Sequence, residues 1–407
     1  GSSSLVSFFT DLNSALTTKE ITTDQVFVIG GSRLYQEAME HELCHSLLIT
    51  HAKIKLPHVD VKFPPIKQLS FRLNNIIQSG SCLMKLQSDN PEIDFDKEVK
   101  YEIVEYTRFK KECNYPSFKG EAGYLQALRM IIEDGEVRGD RTGVGTKALF
   151  GMNFRYDLLN EGYPLLTTKK MFTRGIFEEL LWFLRGSTDV NELRDIDVHI
   201  WDGNSTRKFL DSRGLTDYPE YDIGPAYGAQ FRHAGAKYTT CKANYNGQGT
   251  DQIAYVIDQL KNNPENRRIL VNLWNVADLD KMALPPCLFM YQFWVSEGKY
   301  LNLSLYQRSG DMGLGVPFNI ASASLLMHII GKLTNLIPKE LVHTIGDTHI
   351  YSDHIEPLKK QVKREPRPFP HLRVVDRGQE KVEDFDISDF IVEGYQPYPG
   401  IKMKMAV

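Results

Sequence analysis

The sequence predicts an α+β protein, and three stretches carry that expectation. Residues 288–295 and 300–306 are two apolar runs separated by a short polar break, the pattern of consecutive antiparallel strands. Residues 124–134 and 177–184 read as helices, the first amphipathic and the second mostly apolar. Residues 25–51 read as strand, glycine pair, helix and strand, a piece of an α/β layer structure.

The 407 residues suggest two or three domains, and 42% hydrophobic with 25% charged residues is a soluble globular composition. A formal charge of -4 and a pI near 6.3 argue against a general nucleic-acid or membrane-surface protein, so neither DNA nor a membrane is expected as a partner. Anionic ligands would need local arginines. Cys44, Cys82, Cys113, Cys241 and Cys287 are scattered without close pairs, which fits neither a disulfide framework nor a zinc ribbon and points to a reducing compartment, the cytoplasm. The N-terminus has no basic leader with an apolar core, and the apolar runs fall well short of a spanning helix.

In order, the first segment reads as strand 25–29, Gly30-Gly31, helix 32–40, strand 46–51, a Pro-punctuated loop, and the alternating strand 100–106. Gly30-Gly31 before a helix would let backbone N–H groups approach a pyrophosphate, and a tight strand-to-helix turn needs two glycines equally. His41-Glu42-Leu43-Cys44-His45 satisfies the zinc-protease pattern, which needs both imidazoles on one face of a continuous helix plus a third ligand. It falls where a short helix ends, so no metal is assigned.

The composition turns polar at 78–97, and 110–123 is charged, with Pro116, Gly120 and Gly123. The chain therefore divides into a segment 1–109, a linker 110–122 and a domain 123–407. Gly143-Val144-Gly145-Thr146-Lys147-Ala148 matches a dinucleotide pattern, but a strand-like run, 148–158, follows it and none precedes it, the wrong order for such a turn. That loop offers Arg141 as a phosphate clamp or a solvated charge. Helix 177–184 carries Glu178 and Glu179, one expected to face solvent and the other a polar cavity. Trp201, Tyr227, His233 and Trp274 read as core or cavity-wall residues. Arg267-Arg268 follows a turn and precedes the strand 269–274, where adjacent side chains diverge; by itself the pair reads as surface charge. His349 and Tyr351 point the same way if 348–351 is extended, and could grip a sugar hydroxyl.

Cys287 follows Pro285 and Pro286, which favour an extended entry, and opens the run 288–295. A buried core cysteine is the bland reading. The run 300–306 ends in Gln307-Arg308-Ser309-Gly310-Asp311, a polar turn, so an antiparallel pair would bring Arg308 beside Cys287, and guanidinium beside thiol favours thiolate. A cysteine phosphatase needs arginine about six positions beyond its cysteine on one loop; Phe293 stands there. A Cys-His hydrolase needs an imidazole folded in from a distance, since none lies between His233 and His328. The third chemistry is a thiolate adding to an electron-poor ring carbon, with arginines on an anionic group and an amide such as Asn319 on the ring edge.

Residues 284–288, 307–311 and 316–321 resemble the signature of the thymidylate synthase family. Asp140-Arg141-Thr142-Gly143, residues 179–184, Arg267-Arg268, residues 346–351 and residues 364–368 match it in order, across roughly 123–407. Residues 27–35, 47–51 and 101–106 are similar to the C-terminal third of dihydrofolate reductase, across about 5–109. Together the chain resembles the bifunctional dihydrofolate reductase-thymidylate synthases. The resemblance implies a large mixed sheet with covering helices, preceded by a partial α/β reductase segment. It implies reductive methylation of dUMP to dTMP by 5,10-methylenetetrahydrofolate through a Cys287 adduct. It places Arg141, Arg267, Arg268 and Arg308 on the phosphate, with Gln307, Ser309 and Gly310 lining the nucleotide. Asn319 would read the uracil edge; His349 and Tyr351 would hold the ribose. Asp311, Trp201 and Ala406 would meet the folate, and Glu179 would organise water for proton transfer. Arg267 and Arg268 belong to the opposite subunit in the family, so a homodimer is implied. On the reductase side it implies NADPH at Gly30, Gly31, Ser32, Arg33 and Leu34, and folate at Thr50. That likeness starts two-thirds of the way through a reductase, so these residues alone are expected to lack reductase activity and the full-length protein to have it. Two positions depart from the family: Leu288 stands where many members have histidine, and Lys170 where arginine is common. A pyrimidine hydroxymethylase and a catalytically silent nucleotide-binding homologue are the alternatives.

Overall fold

The structure is a computed structural model and describes residues 32–40, 44, 46–52, 71–86, 95–108, 117–140 and 142–405. The chain forms two compact units, Gly1–Cys113 and Asn114–Val407.

In the first unit the helix α1 (Ser32–Glu40) buries Ala38 and Met39. Among the described residues, β1 (Ser46–Ala52), β2 (Phe71–Leu86) and β3 (Phe95–Arg108) form an antiparallel sheet in the order β1-β3-β2, with Ile49 opposite Val104 and Ile76 also opposite Val104. The sequence offers only a loop and a polar stretch where β2 lies. Its ladder to β3 runs from Phe71↔Arg108 to Leu86↔Phe95, so backbone pairing rather than side-chain alternation defines it. The expected strand 25–29, Gly30 and Gly31 lie outside the described residues, as do His41, Glu42, Leu43 and His45.

In the second unit, β4 (Phe118–Lys119) leads into α2 (Gly120–Asp134), whose Tyr124, Leu128 and Ile131 recur at helical spacing and are buried. Among the described residues one mixed seven-stranded sheet follows. Its strands are β4, β5 (Glu136–Arg138), β6 (Thr146–Asp157), β7 (Leu270–Asn272), β8 (Leu288–Ser296), β9 (Tyr300–Asp311) and β10 (Ile337–Tyr351). They pair in the order β4-β6-β10-β9-β8-β7, with β5 on β6. Along β9, Leu301, Leu303, Leu305 and Gln307 are buried while Ser304 and Tyr306 are exposed, the period of two of a strand with one covered face. β9 continues through Asp311, so Gln307 to Asp311 are strand and not the polar turn expected.

Between β9 and β10 runs α5 (Gly315–Thr334), and the two strands pair in parallel, which requires such a crossover. By length and composition α5 could cross a membrane, yet most of it is buried in the fold, so it is a core helix. The expectation that apolar runs fall well short of spanning length is corrected here. Ser322 and Ser324 interrupt the run in sequence, and Ser324 satisfies its buried hydroxyl by donating to the Ile320 carbonyl at 2.8 Å. The helix ends on Asn335 in the left-handed conformation, φ 58°. A helix so tightly packed leaves no room for a side chain at Gly310, where a Cβ would stand 2.7 Å from Val316 Cγ2 and 3.0 Å from Ile345 Cγ2. Gly310→Ala is expected to cost about 1–3 kcal/mol by overpacking. Thermal unfolding checks it, and an unchanged Tm contradicts the packing.

α3 (Thr173–Leu184) buries Ile176, Phe177, Leu180, Leu181 and Trp182. Glu178 is buried too, so the expectation that one of the carboxylate pair faces solvent is corrected: helix-neighbour packing covers both, and desolvation raises both carboxyls above the ordinary range.

Candidate active site

Cys287 sits immediately before β8, and β8 pairs antiparallel with β9 from Leu288↔Gln307 to Ser296↔Tyr300. The pairing continues one step further, where the Arg308 N–H donates to the Cys287 carbonyl at 2.9 Å. The Arg308 guanidinium then reaches back along the proline pair. Its Nε donates to the Pro286 carbonyl at 2.8 Å and its Nη2 to the Pro285 carbonyl at 3.0 Å, with Nη2 3.9 Å from Cys287 Sγ. Pro285 and Pro286 offer no donors, so they leave two carbonyls for a forked cation. Trp274 lies under that cation, 5.4 Å from ring centre to Cζ.

Tyr227 precedes the short helix α4 (Gly228–His233) and holds the other side of the cysteine, its hydroxyl accepting from the Cys287 N–H at 3.0 Å. Its backbone is left-handed, φ 33°. The ring stacks on Phe183 at 4.8 Å and meets Trp201 edge-on at 5.5 Å. Trp201 in turn donates from Nε1 to Glu179 Oε1 at 2.8 Å. Desolvation pushes the Glu179 carboxyl up to about 7, and the Trp201 hydrogen bond offsets part of the rise. A carboxyl poised near neutrality can both give and take a proton.

On the floor of the site, Gln307 is 2% exposed and fully engaged. Its Nε2 donates to the Ser309 carbonyl at 2.8 Å and to Asn319 Oδ1 at 3.0 Å, and its Oε1 faces His343 Nε2 at 2.8 Å. Asp311 accepts from the Gly313 and Leu314 amides at 2.7 and 3.1 Å, so it holds the turn that leads into α5. Burial alone would raise its carboxyl, but His354, 3.6 Å away, and the Gly313 amide outweigh that and hold it low. Buried His354 donates from Nε2 to the Lys404 carbonyl at 2.6 Å. Burial opposes its charge; Asp311 and that carbonyl outweigh burial and raise its pKa.

His349 and Tyr351 lie two residues apart on β10, their rings edge-to-face at 5.2 Å. Asp347 accepts from His349 Nδ1 at 2.9 Å, leaving Nε2 for a ligand. His349 pairs with Asp311 in the parallel register, which brings β10 to the same end of the sheet as Arg308 and Asp311. Thus Cys287, Gln307, Arg308, Ser309, Gly310, Asp311, Asn319, His349 and Tyr351 gather at one end of adjoining strands, and the ring cluster joins Glu179 and Trp201 to Cys287. Arg267 and Arg268 do not join them: both are exposed, and among the described residues neither guanidinium has a hydrogen-bond or ion-pair partner. Arg141 and Ala406 lie outside the described residues. In the first unit, Ser32, Arg33 and Leu34 form the first turn of α1 and Thr50 lies on β1, while Gly30 and Gly31 are not described. Sequence reasoning overlooked His343, His354 and buried Lys169, whose amine burial pushes down to about 8. Each is a lone residue in an apolar or polar run, without a spacing to single it out.

The family model for thymidylate synthase matches residues 122–407, and that for dihydrofolate reductase matches residues 2–81. Thymidylate synthase of Homo sapiens is 54% identical over 288 residues, covering 71% of this chain and 91% of that protein. The bifunctional dihydrofolate reductase-thymidylate synthase of Paramecium tetraurelia is 42% identical over 406 residues, 100% of this chain and 84% of that protein. The Leishmania major protein of the same name is 52% identical over 391 residues, 94% of this chain and 71% of that protein. The chain belongs to the thymidylate synthase family, carried behind a dihydrofolate reductase segment. As such it is a methyltransferase of dTMP biosynthesis that acts on dUMP and a folate, with the folate and NADPH usage of the reductase family beside it.

Proposed function

We propose that Cys287 forms the covalent adduct of this reaction, with 5,10-methylenetetrahydrofolate as the co-substrate. The observation that carries the reading is Cys287 Sγ 3.9 Å from Nη2 of an arginine that Nε and Nη2 bonds to the adjoining proline carbonyls hold in place. The sulfur adds to C6 of the pyrimidine, and the electron pair released at C5 attacks the methylene carbon as its bond to the folate nitrogen breaks. Loss of the C5 proton expels the second folate nitrogen and leaves an exocyclic methylene on the ring; a hydride from the released tetrahydrofolate adds to that carbon as Cys287 departs, giving dTMP and dihydrofolate. Arg308 meets the phosphate with Arg141, and Asn319 meets the uracil amide edge. His349 and Tyr351 hold the ribose; Asp311, Trp201 and Ala406 meet the folate. Glu179 organises the water that moves protons. NADPH falls to the reductase segment, at Gly30, Gly31, Ser32, Arg33 and Leu34. A free thiol at the centre of the reaction suits a reducing compartment such as the cytoplasm. Dihydrofolate absorbance on mixing dUMP with 5,10-methylenetetrahydrofolate, with identification of the nucleotide product, tests the reading: dTMP supports it, and hydroxymethyl-dUMP or no turnover overturns it.

The same reading makes the protein a homodimer. On the face of the sheet opposite Leu301, Leu303 and Leu305, Trp294 is 62% and Tyr306 36% exposed, so that face carries large aromatic side chains open to a partner. A second copy would cover it, and Arg267 and Arg268 would complete the partner's phosphate site. Co-expressing Cys287→Ala with Arg268→Glu is expected to give heterodimers with one intact site and activity above either parent. Verified heterodimers no more active than the parents count against sharing.

A further inference from the structure

His343 is wholly buried in the middle of β10, opposite Leu305 of β9 and Phe154 of β6, and nothing in the proposed reaction uses it. Among the described residues its Nδ1 has no hydrogen-bond partner and its one polar contact is Nε2 to Gln307 Oε1 at 2.8 Å. Which atom carries the hydrogen follows from the neighbours. The Ser309 carbonyl can only accept, so the Gln307 NH2 must face it, and Gln307 Oε1 must then face His343. His343 is therefore the Nε2–H tautomer, and desolvation pushes its pKa down to about 3, so it stays neutral over the working range. The second hydrogen of the Gln307 NH2 lies on Asn319 Oδ1 at 3.0 Å. A flipped Asn319 would set its own NH2 against the Gln307 NH2, so its orientation is locked.

We propose that His343 is a positioning residue for pyrimidine selection: through Gln307 it fixes the Asn319 amide in the one orientation that fits a uracil edge and refuses a cytosine edge. This rests on the reading that Asn319 meets the ring edge. Uracil presents a carbonyl acceptor beside a ring N–H, and cytosine an amino donor beside a bare ring nitrogen. The two patterns are exchanged by turning one side-chain amide over, so a free asparagine would read both. A locked one reads the first. The Ser309 carbonyl sets which way the Gln307 amide faces, and the His343 donor satisfies the Gln307 oxygen in that place: without it that oxygen is buried without a partner, and the Gln307 and Asn319 amides are held less firmly.

The test uses the full chain with dUMP as substrate and dCMP as competitor. His343→Phe fills the volume without a donor, and His343→Gln places an amide NH2 near the lost Nε2–H. His343→Phe is expected to lower the preference for dUMP over dCMP about tenfold, the weight of one hydrogen bond that orders a site, and His343→Gln to restore most of it. A folded His343→Phe enzyme with unchanged preference, or a His343→Gln enzyme as indiscriminate as His343→Phe, overturns the proposal. Imidazole nitrogen resonances of the unaltered protein test it even if the phenylalanine variant fails to fold. A neutral Nε2–H tautomer at pH 7 supports the lock, and an Nδ1–H tautomer or an imidazolium overturns it. Asn319→Ala is the control: if it too leaves the preference unchanged, the reading of Asn319 has failed, and the tautomer alone then decides whether the His343–Gln307 link exists.

Discussion

Cys287→Ala is expected to lose turnover by on the order of a thousandfold or more, while dUMP still binds within about threefold of the unaltered affinity. The asymmetry follows from how the site divides its labour. The thiol supplies the bond that turns C5 into a nucleophile, and no neighbouring group can substitute: Tyr227 is occupied with the Cys287 amide and burial raises its phenol far out of range. In the proposed reading, affinity comes from charge-assisted contacts to the phosphate, each worth roughly 1.5–3 kcal/mol, which alanine leaves in place. Steady-state rates beside equilibrium dUMP binding separate the two. Activity above a few percent of the unaltered enzyme sinks the assignment of Cys287, and lost binding with an intact fold sinks the division of labour.

Glu179→Gln is expected to lower kcat by about 10²–10⁴-fold, the usual weight of a positioned acid-base group, and to remove from the pH profile a limb with an apparent pKa near 7. The same variant should be the more stable protein at alkaline pH. The carboxyl's pKa is raised in the fold from an ordinary 4.5 to about 7, so between those values the folded state binds the extra proton. Stability therefore falls as pH rises through that window, and above it the fold carries the whole cost of a buried charge. A neutral amide carries none. Glu179→Gln should gain up to about 3 kcal/mol at pH 8 and almost nothing at pH 4. Denaturant unfolding at the two pH values checks the sign. A variant that keeps the limb near 7, or is less stable at pH 8 than at pH 4 relative to its parent, contradicts this account.

What could be read in the sequence was what local pattern encodes. Two apolar runs with a polar break announce β8 and β9, and their pairing delivers Arg308 to Cys287. The amphipathic stripe of α2 is equally plain. Patterns failed where burial surrounds an element on all sides. α5 is apolar almost throughout, so it has no stripe to give it away, although it is the crossover that makes β9 and β10 parallel. β2 failed for the converse reason: Ile76, Ile77, Gln78 and Ser79 are all exposed, and nothing in their order shows which neighbour their backbone will pair with. In the candidate site, residues in named motifs could be singled out from the sequence and single residues could not. His343 and His354 contact residues 36 and 43 positions away, Gln307 and Asp311, a distance across which sequence spacing carries no information.

The left-handed Tyr227 has a consequence for how this protein can change over time. A tyrosine at φ 33° is held by its surroundings against its own preference, at a cost on the order of 1–3 kcal/mol, and glycine would sit there more comfortably. Glycine has no hydroxyl to accept the Cys287 N–H. Glycine would release the strain but empty a buried aromatic position, so packing and the Cys287 contact both hold the tyrosine in place, and the aromatic neighbours Phe183 and Trp201, which pack on its ring, share that constraint. Substitutions there that any hydrophobic core would tolerate should be rejected by selection for catalysis while the fold itself accepts them.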